Sequence, residues 1–340
     1  MKQASLILCL LCLFLLTSCS SYNVQYDIPP ELISPEKKSE FINHYSQFIR
    51  NKKIFIDPGH GGEDRKNIGY LGLAVEADVN LRVALELSKL LTEAGAFVVL
   101  SRSEDATIPL QLRSDLANKS GADIFISIHH NAPPQEGDNF TNYTSTYFHS
   151  AEDNFNYEPC EHDIAKYIQR DLAYVMRNSG GPGSFDGTYS DYSVYPGEGF
   201  SVLRLTEIPA VLVECGFHTH HLQEPKLADK FYNRIEAWGI FKGLCRYFKA
   251  GIPGIHFIRK VQEDSMQVIQ FAIVDSSGID DKSVKVYVDS AEAEFTFDKY
   301  NNVLTIILSD ELKIITVRII AANKNGNHSF PYKKEILLNE

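Results

Sequence analysis

Between residues 53 and about 250 the apolar positions follow two alternating rhythms. Short unbroken apolar runs, such as Ile54-Phe55-Ile56 and Ile124-Phe125-Ile126, alternate with longer stretches whose apolar residues recur every three or four positions. The first pattern predicts strands buried on both faces, the second helices packed by one side. Strands are expected at 53–57, 97–101, 124–128, 144–148 and 210–214, and helices at 79–94, 110–119, 162–178 and 227–248. In the first of these helices Val79, Val83, Ala84, Leu87, Leu90 and Leu91 share one face, and Gly95 supplies a stop. The alternation predicts an α/β fold: a twisted, mostly parallel sheet with helices on both faces.

The rhythm changes after Gly251-Ile252-Pro253-Gly254. Seven short runs of alternating character follow, separated by turn clusters such as Asp275-Ser276-Ser277-Gly278. They predict a small all-β sandwich over 255–340, immunoglobulin-like in strand count. No catalytic cluster falls in it, so it reads as a spacer or as a module for a protein or wall partner. On the other side, Ser34-Pro35 suits a helix start, with Phe41, Tyr45, Phe48 and Ile49 on one face. The main domain is therefore placed at 35–252.

The N-terminus has a different character. Lys2 precedes an apolar run from Leu6 to Leu16 that is shorter than the roughly 20 residues needed to span a bilayer. It fits an export signal over 1–18. The closing Leu16-Thr17-Ser18-Cys19 resembles the lipobox of bacterial lipoproteins, which implies cleavage before Cys19 and lipid on its thiol. Residues 19–34 are then a lipidated tether, reaching about 50 Å if extended. The implied location is the cell envelope, facing the periplasm, with the outer membrane favoured because Ser20 does not look like a retention signal. A net charge of −11 without a basic run argues against nucleic acid. Outside the leader only Cys160, Cys215 and Cys245 remain, an odd number with no metal-clip spacing, so no disulfide framework is expected.

The chemistry concentrates at strand ends. The first strand runs into Asp57-Pro58-Gly59-His60-Gly61-Gly62, the third into His129-His130-Asn131, and the last into Glu214. In open α/β sheets the carboxyl ends of the strands form the ligand crevice. Glu76, just before the first long helix, returns to the same edge. Two histidines and a carboxylate suit zinc with one position left to water, and a further carboxylate would serve as its base.

These stretches, with VEADVNL at 75–81, LSRSEDATIPLQLRSDLANKSGADIFISIHHNA at 100–132 and VLRLTEIPAVLVECGF at 202–217, resemble the third family of zinc-dependent N-acetylmuramoyl-L-alanine amidases. The resemblance covers about 53 to 250, in order and at the family's spacings. It implies one zinc ion on His60, Glu76 and His129, Glu214 as the catalytic acid and base, and Asn131 and Arg204 in supporting roles. It also implies hydrolysis of the muramoyl-lactyl to L-alanine amide of peptidoglycan. The rival readings are a zinc peptidase acting on stem peptides and a non-catalytic wall-binding lipoprotein.

The sequence departs from the family at several places. His130 stands where a small residue is usual and is an alternative ligand; Lys66-Asn67 follow Asp64 in place of a small pair; His218, His220 and His221 read as surface residues or residues behind the ligands. Cys215 should face away from Glu214. No spare helix is evident to plug the site. The Gly- and Tyr-rich segment 179–199 reads as a long loop forming one wall of a substrate groove.

Overall fold

The computed structural model describes residues 24–309 and 314–338. The leader and Cys19 lie outside the described residues. The chain order is α1 (Pro30–Ile33), α2 (Pro35–Ile49), β1 (Lys53–Pro58), α3 (Glu76–Glu93), β2 (Phe97–Leu100), α4 (Leu110–Ser120), β3 (Ile124–Asn131), β4 (Ser145–Phe148), α5 (Pro159–Met176), β5 (Thr188–Ser190), α6 (Ser201–Arg204), β6 (Ala210–Phe217), α7 (Glu224–Ala228) and α8 (Lys230–Lys249).

The six strands form one sheet in the order β2-β1-β3-β6-β4-β5. All pairs are parallel except β4 with β6, so the expected mostly parallel α/β sheet is present. Its two faces are covered unequally. Ile54, Ile56, Ile124, Ile126, Ile128, Val211 and Val213 pack into the larger core with α2, α3, α5 and α8. The other face carries Phe55, Phe125 and Leu212, with Ala117 of α4 and Val202 and Leu203 of α6. Helix α8 can be buried along most of its length because Gly239 and Gly243 admit α5; a Cβ at Gly243 would run into the backbone of Tyr167 and Ile168.

Three details differ from the sequence reading. β5, the edge strand, lies inside the Gly- and Tyr-rich segment, where it is too short for alternation to reveal it. The helix expected at 227–248 is broken at Asp229, whose carboxylate accepts the Phe231 N–H and starts α8. Part of the stretch expected as a tether packs on the body: Tyr26 donates to Asp229 at 2.6 Å, and Lys242 pairs with Glu31 at 2.8 Å. Its polarity had suggested solvent, but the polar groups are matched by partners on α8 and its N-cap.

The C-terminal region comprises β7 (Gly254–Glu263), β8 (Met266–Val274), β9 (Ile279–Val288), β10 (Ala291–Glu292), β11 (Thr296–Asp298), β12 (Val303–Ser309), β13 (Ile314–Asn323) and β14 (Tyr332–Leu337). They make two antiparallel sheets, β10-β9-β13-β14 and β11-β12-β8-β7. Phe271, Ile306, Val317 and Ile319 belong to the core the sheets share. The strand beyond the expected seven is the two-residue β10. This region grips the first: Asn323 and Asn325 donate to Ala250 O, Asn327 donates to Tyr247 O and Gly251 O, and Arg318 donates to Phe155 O and Tyr157 O.

Candidate active site

Strand alternation decides which strand-end residues meet. In β3, Ser127 and His129 point to the same face as Phe125, and in β6 Glu214 points with Leu212; the register aligns His129 with Glu214. β1 delivers His60 one turn beyond its end. His60 itself has φ 58°, in the left-handed region, where a non-glycine residue is uncommon and carries strain. The surroundings hold it there: Arg113 donates to Pro58 O and His60 O, and Arg102 donates to Pro58 O and Gly59 O. Asp57, buried beneath the turn, accepts from Arg113 at 2.6 Å, Ser101 at 2.5 Å and Ser127 at 2.8 Å.

Among the glycines around His60, Gly59 makes room for a neighbouring ring. A Cβ at Gly59 would occupy the space of the His129 ring, and Gly61 and Gly62 adopt φ 119° and 61°. They allow two strand ends to bring their imidazoles together, with ring centroids 4.9 Å apart.

Glu76, the first residue of α3, enters between those rings. Its Oε2 lies 3.1 Å from His60 Nε2 and its Oε1 3.1 Å from His129 Nδ1. One ligand atom from each of the three lies within 4.8 Å of the others. The carboxylate is almost wholly buried, at 2% exposure, whereas the His60 and His129 side chains keep 22% and 18%. The cluster is therefore dry behind and open in front. Asp64 accepts from His60 Nδ1 at 2.7 Å, so that nitrogen carries hydrogen and Nε2 is turned inward. Asn67 donates to Glu76 Oε2 at 2.6 Å.

Charge follows this geometry. Burial alone would depress His60, but the hydrogen bond and charge of Glu76, then those of Asp64, outweigh it and raise the imidazole to about 9. Burial would raise Glu76, yet the hydrogen bonds of His129 and His60 hold it well below the usual carboxylate range. Glu214 goes the other way: burial and the Glu76 charge push it well above, with His60 opposing. Its Oε2 is sealed from solvent and has no hydrogen-bond partner. Glu76 is thus an anion held by hydrogen bonds to two imidazoles, while Glu214 is a carboxyl with an open valence.

His130 and Cys215 point to the opposite face, as alternation requires. The His130 side chain is buried against Asn80 and Glu236, whereas the His129 ring lies with His60 and Glu76. Cys160, Cys215 and Cys245 are free and buried. Asn131 stands at the end of β3, its Oδ1 accepting from Ala132 N. Arg204 is exposed on α6, and no side-chain hydrogen bond joins either residue to His60, Glu76, His129 or Glu214. His218 is buried, bonded through Nδ1 to His130 O, and so braces the strand end; His220 and His221 sit in the turn beyond.

Sequence reasoning missed Asn67, Asn80, Arg102 and Arg113 as site residues. Asn67 had registered only as a departure from the usual small residue, although an amide so close to a predicted ligand was a usable signal. The segment 179–199 is not a free loop: Asp191 accepts from His149 Nδ1, Ser150 N and Phe200 N, fixing both ends of its turn. Tyr143, packed on Phe217 and lying beside Gly181 of that segment, is raised by burial and then by the Glu214 charge.

Two imidazoles and an anionic carboxylate converging at the open edge of an α/β sheet, with a second carboxyl unpartnered beside them, are the equipment of a metal-dependent hydrolase. Comparison supplies the family: the profile described as N-acetylmuramoyl-L-alanine amidase matches residues 54–246, more than half the chain, and the chain belongs to that family. It is 32% identical over 216 residues to the N-acetylmuramoyl-L-alanine amidase LytC of Bacillus subtilis (strain 168), covering 64% of this chain and 39% of that one. To the germination-specific N-acetylmuramoyl-L-alanine amidase of the same organism it is 29% identical over 214 residues, covering 59% and 81%. The crystal structure of an N-acetylmuramoyl-L-alanine amidase from Clostridium difficile 630 matches with a TM-score of 0.51 and 30% identity, covering 59% of this chain and 98% of that one. The chain thus spans about two fifths of LytC and nearly all of the solved domain. The profile match ends before β7.

Proposed function

We propose that the chain hydrolyses the amide between the lactyl group of N-acetylmuramic acid and L-alanine in peptidoglycan, with zinc held by His60, Glu76 and His129. The observation that carries this reading is the unpartnered Glu214 oxygen facing a donor set of two imidazoles and a carboxylate. The set fits zinc: nitrogen and oxygen donors, His60 oriented by an outer carboxylate, and an open front. Bound zinc would polarise the scissile carbonyl and lower the pKa of a water toward about 7.

Glu214 takes one proton from the attacking water as oxygen bonds to the carbonyl carbon. It then delivers that proton to the alanine nitrogen as the C–N bond breaks; the water's second proton, left on the new lactyl carboxyl group, passes to the amine, so that the products are a lactyl carboxylate and an ammonium. Burial and the Glu76 charge raise the Glu214 carboxyl, and a cation held by the three ligands would oppose that rise, leaving the group able both to accept and to donate. No nucleophilic serine or cysteine is needed.

The leader supports a second part of the proposal: cleavage before Cys19, lipid on its thiol, and attachment to the envelope facing the periplasm, with the outer membrane favoured. Among the described residues no helix is long and apolar enough to cross a membrane. The β-sandwich remains available to a protein or wall partner.

Mass spectrometry of products released from purified peptidoglycan tests the reaction. Free stem peptides beginning with alanine are expected with zinc, and are expected to vanish with chelator or in Glu214→Ala. Shortened peptides still joined to muramic acid would replace the amidase reading with a peptidase, and retained wall without products would leave a binding protein.

A further inference from the structure

Behind the candidate metal ligands, on the dry face of the sheet, lies a second polar chain. His130 is 1% exposed, and Asn80 and Glu236 are fully buried. His130 Nδ1 is 2.7 Å from Asn80 Oδ1, and His130 Nε2 is 3.0 Å from Glu236 Oε1, whose other oxygen accepts from Asn233 at 3.0 Å. Asn80 in turn donates through Nδ2 to Glu76 Oε1 at 3.3 Å and to Gly59 O at 3.2 Å. The backbone N–H of His130 donates to the same Glu76 oxygen at 3.0 Å. One imidazole thus connects α8, α3, β3 and the turn that carries His60.

The hydrogen-bond polarity of this chain has only one consistent solution. Asn80 Nδ2 faces two acceptors, a carboxylate oxygen and a carbonyl, so its Oδ1 must face His130. Rotating the amide by half a turn would set Oδ1 against both of those oxygens, acceptor facing acceptor, and lose both hydrogen bonds in a buried site. Asn80 Oδ1 therefore requires a hydrogen on His130 Nδ1. Glu236 supplies that condition from the far side: whether a proton sits on Nε2 or on the carboxyl, the Nε2–Oε1 contact is satisfied while Nδ1 keeps its hydrogen.

We propose that His130 is a positioning residue: clamped by Glu236, it locks the Asn80 amide so that Glu76 and the His60 turn are held in metal-binding geometry. The inference rests on the reading of His60, Glu76 and His129 as metal ligands. Partners behind a ligand typically tune metal affinity 10- to 100-fold, so the lock is expected to act on affinity more than on fold. Glu236→Gln should preserve it, because the glutamine amide can donate to Nε2 and leave Nδ1 protonated. Glu236→Leu and His130→Phe should release Asn80.

The first measurement is imidazole NMR of the intact, unsubstituted chain, with and without zinc. The expected result is hydrogen on His130 Nδ1 in both states; a bare Nδ1 in either overturns the proposal without any variant having to fold. The second is zinc affinity by chelator competition, alongside thermal melting of the metal-free forms. Expected are a 10- to 100-fold loss in His130→Phe and Glu236→Leu and near-parent affinity in Glu236→Gln. Equal affinity in all four proteins would overturn the lock. Two zinc ions per chain, one lost in Cys215→Ser, would overturn it differently, by making His130, Cys215 and Glu236 a metal site of their own. Failure of the ligand reading has a separate signature: His60→Ala would bind zinc as tightly as the parent, whatever the tautomer of His130.

Discussion

Adjacent residues divide the chemistry of this domain between two clusters. His129 and Glu214 point to the open face, where they join His60 and Glu76; His130 and Cys215, one position further along each strand, point into the core beside Glu236. Both clusters contain an imidazole and a carboxylate about 3 Å apart. They differ in closure. The inner imidazole is bonded at both nitrogens, and both oxygens of its carboxylate have partners. The outer cluster keeps its imidazoles partly exposed and leaves Glu214 with an unused oxygen. Residue type alone does not distinguish the two clusters; solvent-reached imidazoles beside an unpartnered carboxyl oxygen do.

The largest test of that contrast is Glu214→Gln. Peptidoglycan turnover should fall about 10²- to 10⁴-fold, the usual weight of a positioned acid–base group, while zinc affinity stays close to the parent. A small change in rate would place Glu214 with the structural group. A sharper version touches the outer hydrogen bond alone. Asp64→Ala frees His60 Nδ1, and zinc affinity should drop about 10- to 100-fold by chelator competition.

A buried acid on the dry side offers a test by pH. Glu161, on α5, accepts from Ala210 N and His149 N, and burial pushes its carboxyl up to about 8. Its folded value lies above the unfolded one, so between about pH 4.5 and 8 the folded chain retains a proton that the unfolded chain has released. Stability should therefore fall as pH rises through that window, by at most about 1.4 kcal/mol per pH unit. Thermal melting of Glu161→Gln across the same range should lack this slope. The smallest expected effect is Cys215→Ala: about 1 kcal/mol of stability lost with its packing and no loss of turnover. Loss of turnover without loss of stability would move the thiol to the functional side.

The sheet and the outer cluster were legible because they rest on short-range rules. Buried strands announce themselves as apolar runs, and alternation separates His129 from His130 and Glu214 from Cys215. The supports were less legible because they act across sequence distance. Nothing near Asn80 announces Glu236 on α8, and nothing near His60 announces the donors from Arg102 and Arg113. β5 escaped because three residues carry too little pattern. The contacts of Tyr26 and Glu31 with α8 and its N-cap were not legible because a polar stretch reads alike whether its partners are water or side chains.

The grip between the two regions has a mechanical meaning. The carbonyls that end α8 receive their hydrogen bonds from asparagines of the sandwich, and Arg318 fastens the loop before α5 from the side. Residues 251–253 between the regions are too few to act as a swivel once both flanks are fastened. Whatever takes hold of the sandwich therefore also aims the open sheet edge that carries His60, Glu76 and His129, like a hand closed on the handle of a fixed blade.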